Sequence, residues 1–294
     1  MGASGLNGLQ LQTKTGLGIF LAFTGGLLIS LDIPILRLAE ADAWFTMFFR
    51  GISLAIILGC VIRFGKGWTD TPPNPFMDRQ WVEVGVYYGL TVMFFILAVF
   101  NTSAANLVFI LAFNPMMAAL FAWWFFGEKP SLVTWIAIFV TAFGVMLIVS
   151  EGVQGGTFKG DFFAFMAAVV LALSIVRSRQ SGKDMSLSGC LGGMIGAAVA
   201  LPMLIMNYQF PGQFHWLALN ALIIAPAASF SLQLAPRFIP AAQVSMFFLL
   251  ETVLAPVWIW LVFGEIPTQM TLIGGTIVLS AIAGHSFYQL KPSK

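Results

Sequence analysis

Apolar residues run along this chain in blocks about as long as a bilayer is thick, divided by short polar or proline-bearing stretches. A membrane-spanning helix needs roughly 20 mainly apolar residues. That criterion predicts ten helices, over residues 15–36, 43–63, 80–99, 102–124, 131–149, 159–178, 186–206, 214–235, 239–262 and 269–288. Two runs are too long for a single span. The run from Val82 to Phe126 divides at the polar Asn101 to Ser103, and the run from Leu217 to Phe263 divides at the two prolines and the arginine between Ala235 and Ala241. The expected class is an all-α polytopic membrane protein with no room for a soluble module.

Composition supports that pattern. Apolar residues are 59% of the 294 positions, charged residues 9%, and the mean hydropathy is +0.91; a soluble domain is about 45–50% apolar and about 25% charged. The net charge of +2 is too small for a nucleic-acid partner. Cys60 and Cys190 each stand in an apolar run and read as two buried free thiols. The first residues lack a basic stretch followed by a cleavage site, so no removable signal peptide is expected.

Charge then fixes an orientation. With ten spans and the N-terminus inside, one side receives Lys14, Arg63, Lys66, Arg79, Lys129, Arg177, Arg179, Lys183, Arg237, Lys291 and Lys294, and the other only Arg37 and Lys159. Basic residues gather on the cytoplasmic side, so both termini are expected there.

A repeat accompanies the spans. "FGEKPS" at 126–131 returns as "FGEIPT" at 263–268, and sliding the chain by 137 aligns 104–131 with 241–268 at eight of 28 positions. A slide of 144 pairs Ser30 with Ser174. Two units follow, 1–152 and 153–294, each with five spans. An odd number inserts the second unit upside down, which is the inverted-repeat plan of many secondary transporters. Within the motif, Gly127 and Gly264 are expected to end a helix in the left-handed conformation, and Ser131 and Thr268 to cap the next. Glu128 and Glu265 are expected to accept bonds from helix N–H groups.

Polar groups inside the spans are costly, so each is a functional candidate. Glu251 stands near mid-depth in the ninth span, and the shift of 137 pairs it with Asn114; eight residues earlier stand Gln243 and Asn106. Positions four and eight apart share a helix face, so these residues predict two equivalent stripes, with polar glue between helices as the alternative. Asp32 and Arg50 lie at similar depth and suggest an ion pair, structural or gating. Ser30 and Ser174 are repeat-related. The tryptophans at span ends, Trp44, Trp68, Trp81, Trp135 and Trp216, read as an interfacial belt, and His215 and His285 as interfacial. The glycines at 189, 192, 193 and 196 read as close helix packing within the chain or between subunits. No phosphate-binding loop, HExxH or GxSxG is present. Neither an ATP motor, a metal centre nor an enzyme is expected.

Ten spans, two repeats, a helix-ending GE-x-P-S/T in each and Arg50 within "MFFRGISLA" resemble the EamA-type branch of the drug/metabolite transporter superfamily over nearly the whole chain. Within it, the chain most resembles YddG-type exporters of aromatic and other amino acids in the bacterial inner membrane. The resemblance implies a multi-pass carrier of the bacterial cytoplasmic membrane, monomeric or weakly dimeric and without cofactor. It would export amino acids by alternating access around a cavity lined by Ser30, Tyr87, Asn106, Asn114, Ser174, Ser229, Gln243, Ser245 and Glu251. Family members often carry a proline directly after the acidic residue; here Thr252 follows Glu251 and the proline is Pro256. The alternatives are efflux of cationic drugs, with Glu251 as counter-charge, and a non-transporting scaffold.

Overall fold

The computed structural model describes residues 3–65, 71–72, 74–127, 129–206, 209–235, 238 and 241–290, with side chains described from residue 15 except 151–155, 241–246, 248–249, 286–287 and 289–290. Among these residues there are helices and turns but no strand. In chain order the helices are α1 (Ala3–Ser30), α2 (Asp32–Leu38), α3 (Ala43–Phe64), α4 (Arg79–Val99), α5 (Ala104–Leu111), α6 (Asn114–Phe126), α7 (Leu132–Gly155), α8 (Phe158–Ser181), α9 (Gly189–Met206), α10 (Phe214–Leu219), α11 (Ala225–Leu234), α12 (Ala241–Phe263) and α13 (Gln269–Leu290).

Eight segments are long and apolar enough to cross a bilayer: Thr15–Leu38, Ala43–Phe64, Arg79–Val99, Ala104–Phe126, Leu132–Ser150, Phe158–Ser181, Gly189–Met206 and Phe214–Leu234. The sequence predicts ten. The other two positions hold the apolar helices Leu250–Phe263 and Gln269–His285, which fall short of a full span within the described residues. Faces that meet no other helix remain apolar, with Ile56, Phe139, Met146, Ile205 and Leu261 all exposed. Lipid is the solvent for such faces, so they carry no penalty.

Close helix contacts are made through glycine. α9 packs on α3 where Gly193 meets Gly51, and on α4 where Gly192 meets Gly89. α7 packs on α13 where Gly144 meets Gly274. In lipid, close backbone approach replaces the hydrophobic drive to associate, which is why small residues mark these seams. The predicted glycine packing is thus found within the chain at Gly192 and Gly193.

Both copies of the repeated motif end a helix in the same way. Gly127 (φ 69°) and Gly264 (φ 67°) are left-handed, and their N–H groups bond the carbonyls of Trp123 and Trp260, both at 2.9 Å. Ser131 and Thr268 then accept the N–H groups of Thr134 and Thr271, each at 3.2 Å. Glu128 lies outside the described residues, whereas Glu265 forms an ion pair with Arg37.

Three expectations are overturned. Cys60 is exposed, not buried. Gly51, Leu54 and Leu58 set the packed face of α3, and Cys60, two residues past Leu58, points about 200° away from it, toward lipid. Trp81 is wholly buried and not in a belt, packed among Leu54, Leu58 and Leu187 with Phe76 at its edge. His285 is also buried rather than interfacial, within hydrogen-bond reach of Thr134 Oγ1 at 3.1 Å.

The start of α4 offers a pH test outside the spans. Asp78 caps α4 by accepting the N–H groups of Gln80 and Trp81, and Lys183 donates to it at 2.5 Å. The Lys183 hydrogen bond, then the Trp81 N–H, hold this carboxyl below its ordinary value of 3.8. A depressed carboxyl contributes stability above its unfolded value, and that contribution is lost as pH falls through the folded one. The contribution is small, because Lys183 is exposed. Asp78→Asn is expected to lower the unfolding temperature in detergent at pH 7 and to flatten its fall below about pH 4. Parallel pH curves for parent and variant would refute this.

Candidate functional site

Three prolines interrupt the apolar helices among the described residues, each by the same physics. A proline has no N–H to donate and collides with the carbonyl four residues back. Pro34 faces the carbonyl of Ser30, where α1 stops; Leu31 forms a turn and α2 begins at Asp32. Pro115 faces that of Leu111, where α5 stops; α6 resumes at Asn114. Pro226 faces that of Leu222, inside a π-helical turn, Asn220–Ile224, that joins α10 to α11. In this turn the Ala225 N–H reaches back five residues to the Asn220 carbonyl. A polar residue stands at each interruption: Asp32, Asn114 and Asn220.

Two of these residues meet. Arg50 grips Asp32 with both arms, Nη1 to Oδ1 at 2.8 Å and Nη2 to Oδ2 at 2.7 Å. Asn220 donates Nδ2 to Asp32 Oδ1 at 2.5 Å and accepts from Arg50 Nη1 at 3.3 Å. The guanidinium also lies 5.7 Å from the centre of the Phe95 ring. Asp32, Arg50 and Asn220 are 2%, 7% and 0% exposed. A forked pair with its remaining lone pairs satisfied is the arrangement that makes buried charge tolerable.

Glu251 lies on α12, which packs against α1, α2 and α5. It is buried, and its Oε1 has no hydrogen-bond partner among the described residues. The charges of Asp32 and Arg50 act on it. Arg50 is taken up by Asp32, and no described residue forms an ion pair with Glu251. Elsewhere on these helices, Tyr88 Oη and Ser229 Oγ are 2.9 Å apart, Gln233 donates to the same Ser229 at 2.7 Å, and Trp258 donates its indole N–H to Ser30 Oγ at 3.2 Å.

The other candidates are distributed. Asn114 donates to the Ala168 carbonyl of α8 at 3.1 Å, and Ser174 is buried on α8. Tyr87 turns away to Glu83 at 3.2 Å, where Arg177 also pairs and covers the Phe125 ring at 4.3 Å. Asn106 faces the same helix as Asn114, two turns nearer its start. It joins a separate buried cluster, donating to Asp161 at 3.3 Å and accepting from Thr271 at 2.7 Å. The side chains of Gln243 and Ser245 lie outside those described. Sequence reasoning missed Asn220, whose available signal was Pro226 six residues later, and it missed Asp161 and Thr102. A groove of about 290 Å³ between α7 and α8, reaching Phe113, is lined wholly by apolar side chains and holds none of these groups.

Comparison with known proteins adds the family. No curated protein matches the chain. Twenty-two chains of solved structures match. One of them, a crystal structure 17% identical, superposes with a TM-score of 0.62 over 93% of this chain and 98% of its own, which shows a shared fold. The profile of the EamA-like transporter family matches twice, over residues 16–150 and 158–287. The two matches together cover most of the chain, which therefore belongs to the EamA-like transporter family and is a multi-pass membrane transporter.

Proposed function

We propose that this transporter is a secondary carrier that exports amino acids, aromatic and other small amphipathic ones, across the bacterial cytoplasmic membrane by alternating access. In this reading ten spans form two inverted five-helix units, 1–152 and 153–294, with both termini in the cytoplasm. The observation that carries it is Glu251. Its buried carboxylate oxygen has no described partner and lies beside an ion pair that is already neutral within itself. A buried carboxyl with an unpartnered oxygen can take a hydrogen bond from a substrate's ammonium group. Asn114, Ser30, Ser174, Ser229 and Tyr88 supply neutral polar surface for the rest of a zwitterion, among apolar walls that favour an apolar side chain. Helix breaks beside Asp32 and Asn114 are where carriers of this plan place substrates.

The same observation favours one other reading, efflux of cationic compounds that carry no carboxylate. Flux of labelled phenylalanine, threonine and methionine in proteoliposomes, with and without a pH gradient, separates the two. Saturable amino-acid flux is expected, and Glu251→Gln is expected to reduce it about tenfold or more, since a hydrogen bond to a charged group contributes about 1.5–3 kcal/mol. Absence of flux for all three, with transport of a lipophilic cation instead, would replace the amino-acid reading. Unchanged flux in Glu251→Gln would remove that residue from the site.

A further inference from the structure

We propose that a hydrogen-bonded chain centred on Asp161 is the outer gate of this carrier, closed in the present structure and broken each time the site faces outward. The proposal rests on the transporter reading and on the orientation with both termini inside. Asp161, in the first turn of α8, is 0% exposed. It accepts from Thr102 Oγ1 at 2.5 Å, Asn106 Nδ2 at 3.3 Å and Thr157 Oγ1 at 3.3 Å. Asn106 Oδ1 accepts in turn from Thr271 at the start of α13, at 2.7 Å. Arg37, in the last turn of α2, donates to the Thr102 carbonyl at 2.9 Å and pairs with Glu265 of the repeated motif. One chain of polar contacts thus ties together α2, the α4–α5 turn, α5, α8 and the α12–α13 connection.

Helix packing runs the same way. α5 lies against α8 and also against α12 and α13, whereas α6, past the break at Ala112 and Phe113, packs mainly on α8 and α7. Likewise α1 packs on α11 and α12, on the far flank. The two flanks therefore meet around Asp161 and part toward the ends of α1 and α6 that are read as cytoplasmic. The break at Ala112–Phe113 lies between Asn106 of the chain and Asn114, where a hinge would have to be.

Chemistry makes the chain a two-position element. Neutral donors hold the buried Asp161 carboxyl, and two of them, Thr102 and Asn106, come from beyond α8 and its N-cap Thr157. Removing either leaves a buried carboxylate short of bonds, so the contacts are expected to break together. When the flanks separate, water replaces the lost donors.

The test uses the full chain with Cys60→Ser and Cys190→Ala, and Ile110→Cys as reporter. Ile110 is wholly buried on α5, between Asn106 and the break. In right-side-out vesicles the reporter is expected to resist a membrane-impermeant maleimide added outside. With Asp161→Ala or Thr102→Val it should label about tenfold faster or more, as a shift in a two-state population requires. If Asp161→Ala does not fold, Arg37→Gln at the half-exposed rim breaks two links without leaving a buried charge. Unchanged labelling in properly folded variants would overturn the proposal. So would acceleration only by reagent on the cytoplasmic face, which would place the chain at the inner end. Labelling requires no substrate, so absence of amino-acid flux would sink the substrate reading while leaving the gate to be judged on its own result.

Discussion

Arg50→Ala is expected to destabilise the protein by about 3–5 kcal/mol, because it leaves the Asp32 carboxylate charged and buried without its partner. Both oxygens of Asp32 take a guanidinium bond, and Asn220 alone cannot replace them. The carboxylate sits within the span Thr15–Leu38, where water cannot compensate. Loss of flux follows, since α2, α3 and the Asn220 turn are held together through this pair. Neutralising both charges, in Asp32→Asn with Arg50→Gln, should recover much of the stability, because no lone charge remains. Thermal unfolding in detergent measures the first effect, and proteoliposome flux the second. A double variant that is stable yet inactive assigns the pair a role in the transport cycle; one that is stable and active reduces it to a fastener. A single variant as stable as the parent would contradict the buried-pair account.

The second large effect is at the glycine seam. A Cβ on Gly193 would lie 2.5 Å from the Gly51 carbonyl oxygen, and one on Gly51 would lie 2.6 Å from that of Gly193. Both obstacles are backbone, which no rotamer change relieves. Gly193→Ala is expected to cost about 1–3 kcal/mol, the usual range for overpacking, and Gly193→Leu to prevent assembly of α9 on α3. Gly196→Ala, one turn away, should stay within about 0.5 kcal/mol, the usual range away from such contacts. Its nearest obstacle is Met47 Cγ at 3.9 Å. Unfolding temperatures of the variants decide the matter; equal sensitivity at positions 193 and 196 would refute the contact argument.

The sequence made the helices legible because hydropathy and bilayer thickness set their length with little help from tertiary structure. The FGE motif was legible for a similar reason, since its turn and caps are local. The Asp32–Arg50 pair was inferable from depth alone, as charge in lipid requires a partner. Asn106 and Asn114 both bond α8, at Asp161 and at the Ala168 carbonyl seven residues further on, although Pro115 divides their own helices. Pro226 is the sequence signal for the turn that carries Asn220 to Asp32, but hydropathy alone does not mark that turn. Adjacent tyrosines also divide, Tyr88 to Ser229 and Tyr87 to Glu83, because neighbouring positions on a helix point about 100° apart. Burial of Cys60 was misjudged because an apolar run in lipid does not say which side faces protein.

The π-helical turn carries one residue more than an α-turn would use at the same place. Deleting a single codon there would restore ordinary winding and leave α11 facing as it does, because the wide turn absorbs that residue. Deleting one from the regular turns of α11 itself, with no bulge to absorb the loss, would swing everything after it by about 100°. A loss between Ser229 and Gln233 would then turn Gln233 away from Ser229, while Asn220 stayed near Asp32. The turn is therefore the place in this helix where the chain can lose an amino acid and keep its polar contacts.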